Sequence, residues 1–301
     1  MGLLADSYAL LSGLLAPVTV RYGDALQLAG ADLPRPESRR IPTRHGRVNV
    51  DVYRPPGRER PQVHVHFHGG AFMMRHPRMD DFFCRYLAAE AGVAVVNVDY
   101  LVAPRVRYPV AHEQAHDTIA WLTSNAGEWG LDADRLSVGG FSGGGNLAAS
   151  ACLQARDRGT ASPRLQLLGV PSLDVAGDVR AKPSTIENPM IGPRLLELVR
   201  ATYFKDASRR AEPYASPLLA ESVDGLPPTV VVTAEYDALR AEGDAYAARL
   251  DAVGLLLEHR VVPRRDHYFL DGDDPQQARG LLDVLAAHVG GTMGPWQNAR
   301  S

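Results

Sequence analysis

Cysteine is almost missing from this 301-residue chain, with only Cys84 and Cys152 present. Two thiols in apolar stretches exclude a disulfide-stapled scaffold and read as small buried side chains. An excess of basic charge is missing too. The 32 Lys and Arg against 35 Asp and Glu leave a net charge of -3 with the 10 His counted neutral. No chain-wide positive field is therefore available to hold nucleic acid or an anionic membrane. No apolar run is long enough to span a bilayer, which argues against stable membrane insertion. The start, Met1-Gly2-Leu3-Leu4-Ala5-Asp6, lacks the basic flank of a secretory signal, so a cytoplasmic location is expected. Internal repeats and low-complexity tracts are absent as well. What remains is a globular chain with 45% hydrophobic residues, ample for a core in one large domain.

Against these absences stands a regular alternation. Val48–Tyr53 and Gln62–Phe67 read as strands, Asp80–Ala91 as a helix, Val93–Val98 as a strand and His112–Ser124 as a helix. Such alternation implies βαβ units. Strand-like Leu136–Val138, Leu165–Val170, Val230–Thr233 and Leu256–Val261 follow, with helices expected at Asn146–Gln154, Arg194–Tyr203, Ala241–Ala252 and Gln276–Val289. Runs such as Val93–Val96 and Val230–Val232 are apolar throughout, as central parallel strands covered on both faces require. The fold class expected is α/β, a doubly wound, mostly parallel sheet within a single domain over 1–301. Residues 1–45 and about 177–213 are extra to a minimal sheet of this kind and are expected to form a small helical cap. Leu3, Leu4, Tyr8, Leu11, Leu14 and Leu15 approximate one helical face, expected to pack on the domain itself. Residues 290–301 read as a loose tail.

The most telling local feature is Gly140-Phe141-Ser142-Gly143-Gly144, between an apolar strand and an Ala/Leu-rich helix. A serine on so tight a turn is strained and presented outward, and flanking glycines remove the Cβ atoms that would collide there. Acyl transfer by serine needs a base, a group that orients the base, and donors for the oxyanion. His68-Gly69-Gly70-Ala71-Phe72 follows a strand and offers the backbone N–H groups of Gly69 and Gly70, with Gly143 as the third donor. Asp237, after the strand Val230–Thr233, is the expected acid; Glu235, Asp244 and Asp266 are its rivals. His267, after the strand Leu256–Val261, is the expected base. The chain order Ser, Asp, His is that of α/β-hydrolases.

With these residues in view the chain resembles the hormone-sensitive lipase family of α/β-hydrolases. The resemblance rests on His68–Phe72, Asp99-Tyr100 to Ala103-Pro104, Tyr108-Pro109, Gly140–Gly145, Ala215–Leu218, Asp237–Arg240 and His267, in family order across roughly 60–270. It implies a carboxylic ester hydrolase of the bacterial esterase/lipase type that needs no cofactor and acts on small-molecule esters of short or medium acyl chains; whether the chain forms a homodimer is not fixed by the sequence. Ser142, Asp237 and His267 would be the triad, and Gly69, Gly70 and Gly143 the oxyanion hole. Phe141 and Gly143 beside the serine, Ala71, Arg105 and Tyr268 depart from the family pattern. Phe72, Met73, Phe141 and Tyr268 are expected to shape the substrate pocket.

The same residues admit other chemistries. Acyl transfer to an alcohol or amine uses the same residues, and a non-catalytic ligand-binding relative would share the fold. His112-Glu113-Gln114-Ala115-His116 spells the zinc pattern HExxH, but Ile119 and Leu122 break its extended form, so a solvated helix face is expected there and no metal site. His64, His66 and His68 share one strand face and are expected to be structural. Arg75, Arg78, Arg105 and Arg107 are expected to form a solvated basic surface.

Overall fold

The computed structural model describes residues 2–160, 162–182 and 184–291; the proposed tail beyond 291 lies outside them. In chain order the elements are α1 (Gly2–Thr19), β1 (Glu37–Thr43), β2 (Gly46–Tyr53), β3 (Gln62–Phe67), α2 (Asp81–Tyr86), β4 (Ala94–Asp99), α3 (Val110–Asn125) and β5 (Asp132–Phe141). There follow α4 (Gly143–Asp157), β6 (Leu165–Gly169), α5 (Pro193–Thr202), β7 (Thr229–Ala234), α6 (Arg240–Ala252), β8 (Leu256–Val262) and α7 (Pro275–Gly290). The strands form one sheet in the order β1-β2-β4-β3-β5-β6-β7-β8. β1 and β2 run antiparallel at one edge, and the other six strands are mutually parallel.

Parallel strands buried on both faces explain the continuous apolar runs. In β4, Val96 and Val98 join the core under α3, α4 and α6, while Val95 joins the core under α2 and α7. Leu168 and Val231 divide from Leu167, Val230 and Val232 in the same way. The alternation is the two-residue period of a pleated strand. Both cysteines are buried free thiols.

Two expectations about the N-terminal region change. Residues 37–43, expected to lie in the cap, form β1 on the sheet edge, with Ile41 the one residue of that strand in the core. A solvated edge strand carries few apolar residues and tolerates Pro42, so its pattern is that of a loop. The apolar face of α1 does not pack inward. Leu4 is 81% exposed, Tyr8 60% and Leu14 68%, whereas Ala9 and Ala16 are fully buried. The small residues Ala9, Gly13 and Ala16 share a face at helical spacing. A Cβ on Gly13 would come within 3.0 Å of the Met73 carbonyl oxygen. Close backbone approach, not side-chain burial, therefore seats this helix, which also packs on α5.

The turn from β5 into α4 is the tightest point of the sheet. A Cβ on Gly144 would sit 1.9 Å from the Phe67 carbonyl oxygen, and one on Gly140 2.4 Å from that of Gly144. The first carbonyl belongs to β3, inside the sheet, and the second to the first turn of α4, so neither can move without disturbing a regular element. Gly144→Ala is expected to lower stability by at least about 3 kcal/mol, as overpacking against rigid backbone does. An unchanged urea midpoint for that variant would refute this packing.

Candidate active site

Because β3, β5, β7 and β8 are parallel, their carboxyl ends lie along one edge of the sheet. That topology brings the segment after β3, Ser142 after β5, Asp237 after β7 and His267 after β8 together. Ser142 has φ 57° and ψ -119°, a strained conformation for a residue with a Cβ and the one a strand-to-helix elbow demands. Its amide donates to Gly169 O at 2.9 Å. Its carbonyl accepts from Asn146 N at 3.1 Å and Ser172 N at 3.2 Å.

His267 is 5% exposed and its Nδ1–H donates to Asp237 Oδ2 at 2.8 Å. Asp237 Oδ1 accepts from Leu239 N at 3.0 Å, so both carboxylate oxygens are fixed. The rivals are engaged elsewhere. Glu235 Oε2 accepts from Arg264 N at 2.6 Å, and Asp266 accepts from the backbone amides of His267 and Met190. Asp244 binds Thr233, Arg240 and His259.

Peptide planarity determines where the glycine amides point. Tyr100 Oη donates to His68 O at 2.7 Å and lies 3.3 Å from Gly69 O. His68 Nδ1–H also donates to Gly69 O at 2.7 Å. In a trans peptide the N–H points opposite the carbonyl, so the amides of Gly69 and Gly70 are turned away from Tyr100. Both glycines line the cavity that holds Ser142 and His267. The carbonyl of Ser142, accepting from within α4, likewise turns the Gly143 N–H outward at the positive end of that helix. Gly70, Ala71 and Phe72 have φ of 110°, 53° and 57°, so this segment has positive φ at three successive residues, of which only Gly70 adopts it without a Cβ penalty. The Tyr100 hydroxyl is the positioning group that sequence reasoning missed; Asp99-Tyr100 was visible as a motif, but its partner lies across the strand.

Two cavities meet at Ser142. One, of ≈ 30 Å³, is bounded by Phe72, Gly143, Val179, Val199 and Leu239. Lys182 lies at its wall, bonded to Asp174 O at 2.8 Å and paired with the buried Glu242, whose carboxyl burial pushes up to about 7. The other, of ≈ 140 Å³, contains His267, Gly69, Gly70, Met74, Tyr22 and Tyr268. Ala71, Ile191 and Leu195 border both.

Among the expected pocket residues, Phe72 and Tyr268 line these cavities. Phe141 edges one but is only 4% exposed, its ring among His66, Phe83 and Phe269 in the core. Met73 is a correction. It is 3% exposed within the core and Met74 faces the cavity instead. β3 ends at Phe67 and Gly70, Ala71 and Phe72 have positive φ, so strand alternation is no guide to where the Met73 side chain lies.

The HExxH histidines are absorbed by packing. His112 is fully buried, where a solvated face was expected; its Nε2–H donates to Asn146 Oδ1 at 2.8 Å and its Nδ1 accepts from Tyr203 Oη at 3.0 Å. Burial lowers its pKa to about 3. Glu113 pairs with His45 on the surface. His64 meets Ser137 Oγ at 2.9 Å and His66 meets Asp80 Oδ2 at 2.9 Å. Burial lowers the pKa of His68 to about 4, keeping the ring neutral as it stacks on Tyr100. Arg75 is held by Asp99 and Arg107 by Asp6, and neither lines a Ser142 cavity. No helix among the described residues is long and apolar enough to cross a membrane.

Comparison with known proteins gives the same reading of the fold. The sequence model of the alpha/beta hydrolase fold matches residues 64–271. The chain is similar to the carboxylic ester hydrolase LipN of Mycobacterium tuberculosis, 33% identical over 83% of this chain and 69% of that one. It is also similar to an arylesterase of Saccharolobus solfataricus, 34% identical over 79% of this chain and 77% of the other. Among solved structures, a Pyrobaculum calidifontis esterase superposes with a TM-score of 0.83 at 32% identity, covering 97% of this chain and 93% of its own.

Proposed function

The chain belongs to the alpha/beta-hydrolase fold family, in its hormone-sensitive-lipase type of bacterial esterases, and from that premise we propose that Ser142, His267 and Asp237 carry its chemistry. The protein is a carboxylic ester hydrolase. The observation that carries the residue assignment is the strained Ser142 in one cavity with His267, whose Nδ1 is held by Asp237. His267 Nε2 takes the proton of Ser142 Oγ as it attacks the ester carbonyl, and returns it to the leaving alkoxide. Asp237 holds the ring in the required tautomer and stabilises its cation. The amides of Gly69, Gly70 and Gly143 receive the oxyanion. Water, activated by the same His267, then cleaves the acyl-enzyme.

The leaving oxygen must lie next to His267, so the larger cavity takes the alcohol half and the smaller one the acyl half. A volume of ≈ 30 Å³ supports short acyl groups. Residues 177–213 supply Val179, Ile191, Leu195 and Val199 to the cavity walls, which supports reading this segment, with α1 packed on α5, as a cap over one domain. A small-molecule ester is the partner this site supports.

The test combines rate and label. Hydrolysis of p-nitrophenyl esters is expected to fall from acetate to octanoate, and a fluorophosphonate is expected to modify Ser142 once per chain, read by peptide mass. Labelling at any other residue would overturn the assignment of the nucleophile.

A further inference from the structure

The two cavities differ in charge as well as in size. The smaller one has Lys182 and Arg200 at its wall together with Asp174. The larger one, which holds His267, is lined by no lysine or arginine among the described residues, and its one carboxylate is Asp80. Asp80 is 1% exposed. Its Oδ2 accepts from His66 Nε2 at 2.9 Å. A carboxylate this far from bulk water is stabilised by each further donor or cation that reaches it.

Two tyrosine rings line the same cavity as that carboxylate. Tyr22 and Tyr268 stack with centroids 4.3 Å apart and planes 16° from parallel, and both line the same cavity. The negative charge of Asp80 is felt by both rings, since after burial it is the next cause that holds their hydroxyls protonated. A desolvated carboxylate beside electron-rich ring faces is the environment in which ammonium groups are recognised. The cavity's ≈ 140 Å³ exceeds by several fold the share of a water molecule, roughly 30 Å³.

We propose that the leaving-group side of this site is a cation subsite, in which Asp80, Tyr22 and Tyr268 receive an ammonium group carried on the alcohol half of the ester. The proposal rests on the assignment of that cavity to the alcohol, made above from the position of His267. The preferred substrates are then short-acyl esters of amino alcohols, with Asp80 as the specificity-determining residue.

The experiment compares acetylcholine with 3,3-dimethylbutyl acetate, which has the same shape with carbon in place of the charged nitrogen. The ratio of kcat/KM, charged over neutral, is expected to be about ten or more in the unaltered protein. In Asp80→Asn, whose amide oxygen still accepts from His66, the ratio is expected to fall to about one. A ratio near or below one in the unaltered protein overturns the subsite, and a ratio that persists in Asp80→Asn overturns the role of Asp80. Choline binding to the Ser142→Ala protein, measured by calorimetry, reads the subsite without turnover. Absence of saturable binding there also overturns it. Should neither ester be hydrolysed while choline still binds, it is the catalytic reading that fails and the subsite that stands.

Discussion

Ser142→Ala is expected to lower kcat for p-nitrophenyl acetate by roughly 10⁵- to 10⁶-fold, the scale on which a serine triad collapses without its nucleophile. The fold has little stake in the lost oxygen. Ser142 precedes α4, yet its side chain makes no capping hydrogen bond to that helix. The backbone bonds that hold the elbow, Ser142 N to Gly169 O and Asn146 N to Ser142 O, persist in alanine. The unfolding midpoint should therefore stay within the range of a neutral substitution while turnover disappears. A variant that keeps more than about a thousandth of the rate would point to another nucleophile, because positioned oxyanion donors alone leave only a small residual rate.

Asp237→Asn is expected to cost about 10⁴-fold, and the hydrogen bonds around it say why. Leu239 N–H donates to Asp237 Oδ1 at 3.0 Å, so an asparagine must place its carbonyl oxygen there. Its NH₂ then faces His267 Nδ1, which becomes an acceptor, and the ring proton moves to Nε2. A ring protonated at Nε2 cannot take the serine proton. The loss should appear in kcat far more than in KM, because the ground-state contacts of the substrate are untouched. Glu235→Gln serves as the contrast. Glu235 Oε2 accepts from Arg264 N, and its replacement should cost less than about tenfold. If the two effects were exchanged, the acid would be Glu235.

Much of the architecture is legible in the chain because its causes are local. The apolar runs Val93–Val96 and Val230–Val232 announce strands covered on both faces, and strands β3 and β6 begin and end within a residue of their expected limits. The glycines at 140 and 144 are explained by contacts with backbone a few ångströms away. The order of Ser142, Asp237 and His267 follows from strands that run parallel and end on one edge.

What stayed hidden depends on direction and on distance along the chain. Met73 and Met74 are equally apolar, and only the packing of the segment after β3 puts the first in the core and the second at the cavity. The pattern of α1 suggests an inward apolar face, but the packing surface is Ala9, Gly13 and Ala16, chosen by how closely the backbone of residue 73 approaches. Tyr22 and Tyr268 meet across nearly the whole chain.

The sequence by itself determined the fold class, the family and the residue types able to perform ester hydrolysis, since hydrophobic period, glycine placement and strand order act over short range. Tertiary structure alone decided that Tyr100 holds the His68 and Gly69 carbonyls and so turns the Gly69 and Gly70 amides away from itself, that His112 is a core residue with both nitrogens engaged, and that Asp80 lines one cavity with Tyr22 and Tyr268. Those are pairings between residues on different elements, and no periodicity along a chain records which side chains the folded sheet brings face to face.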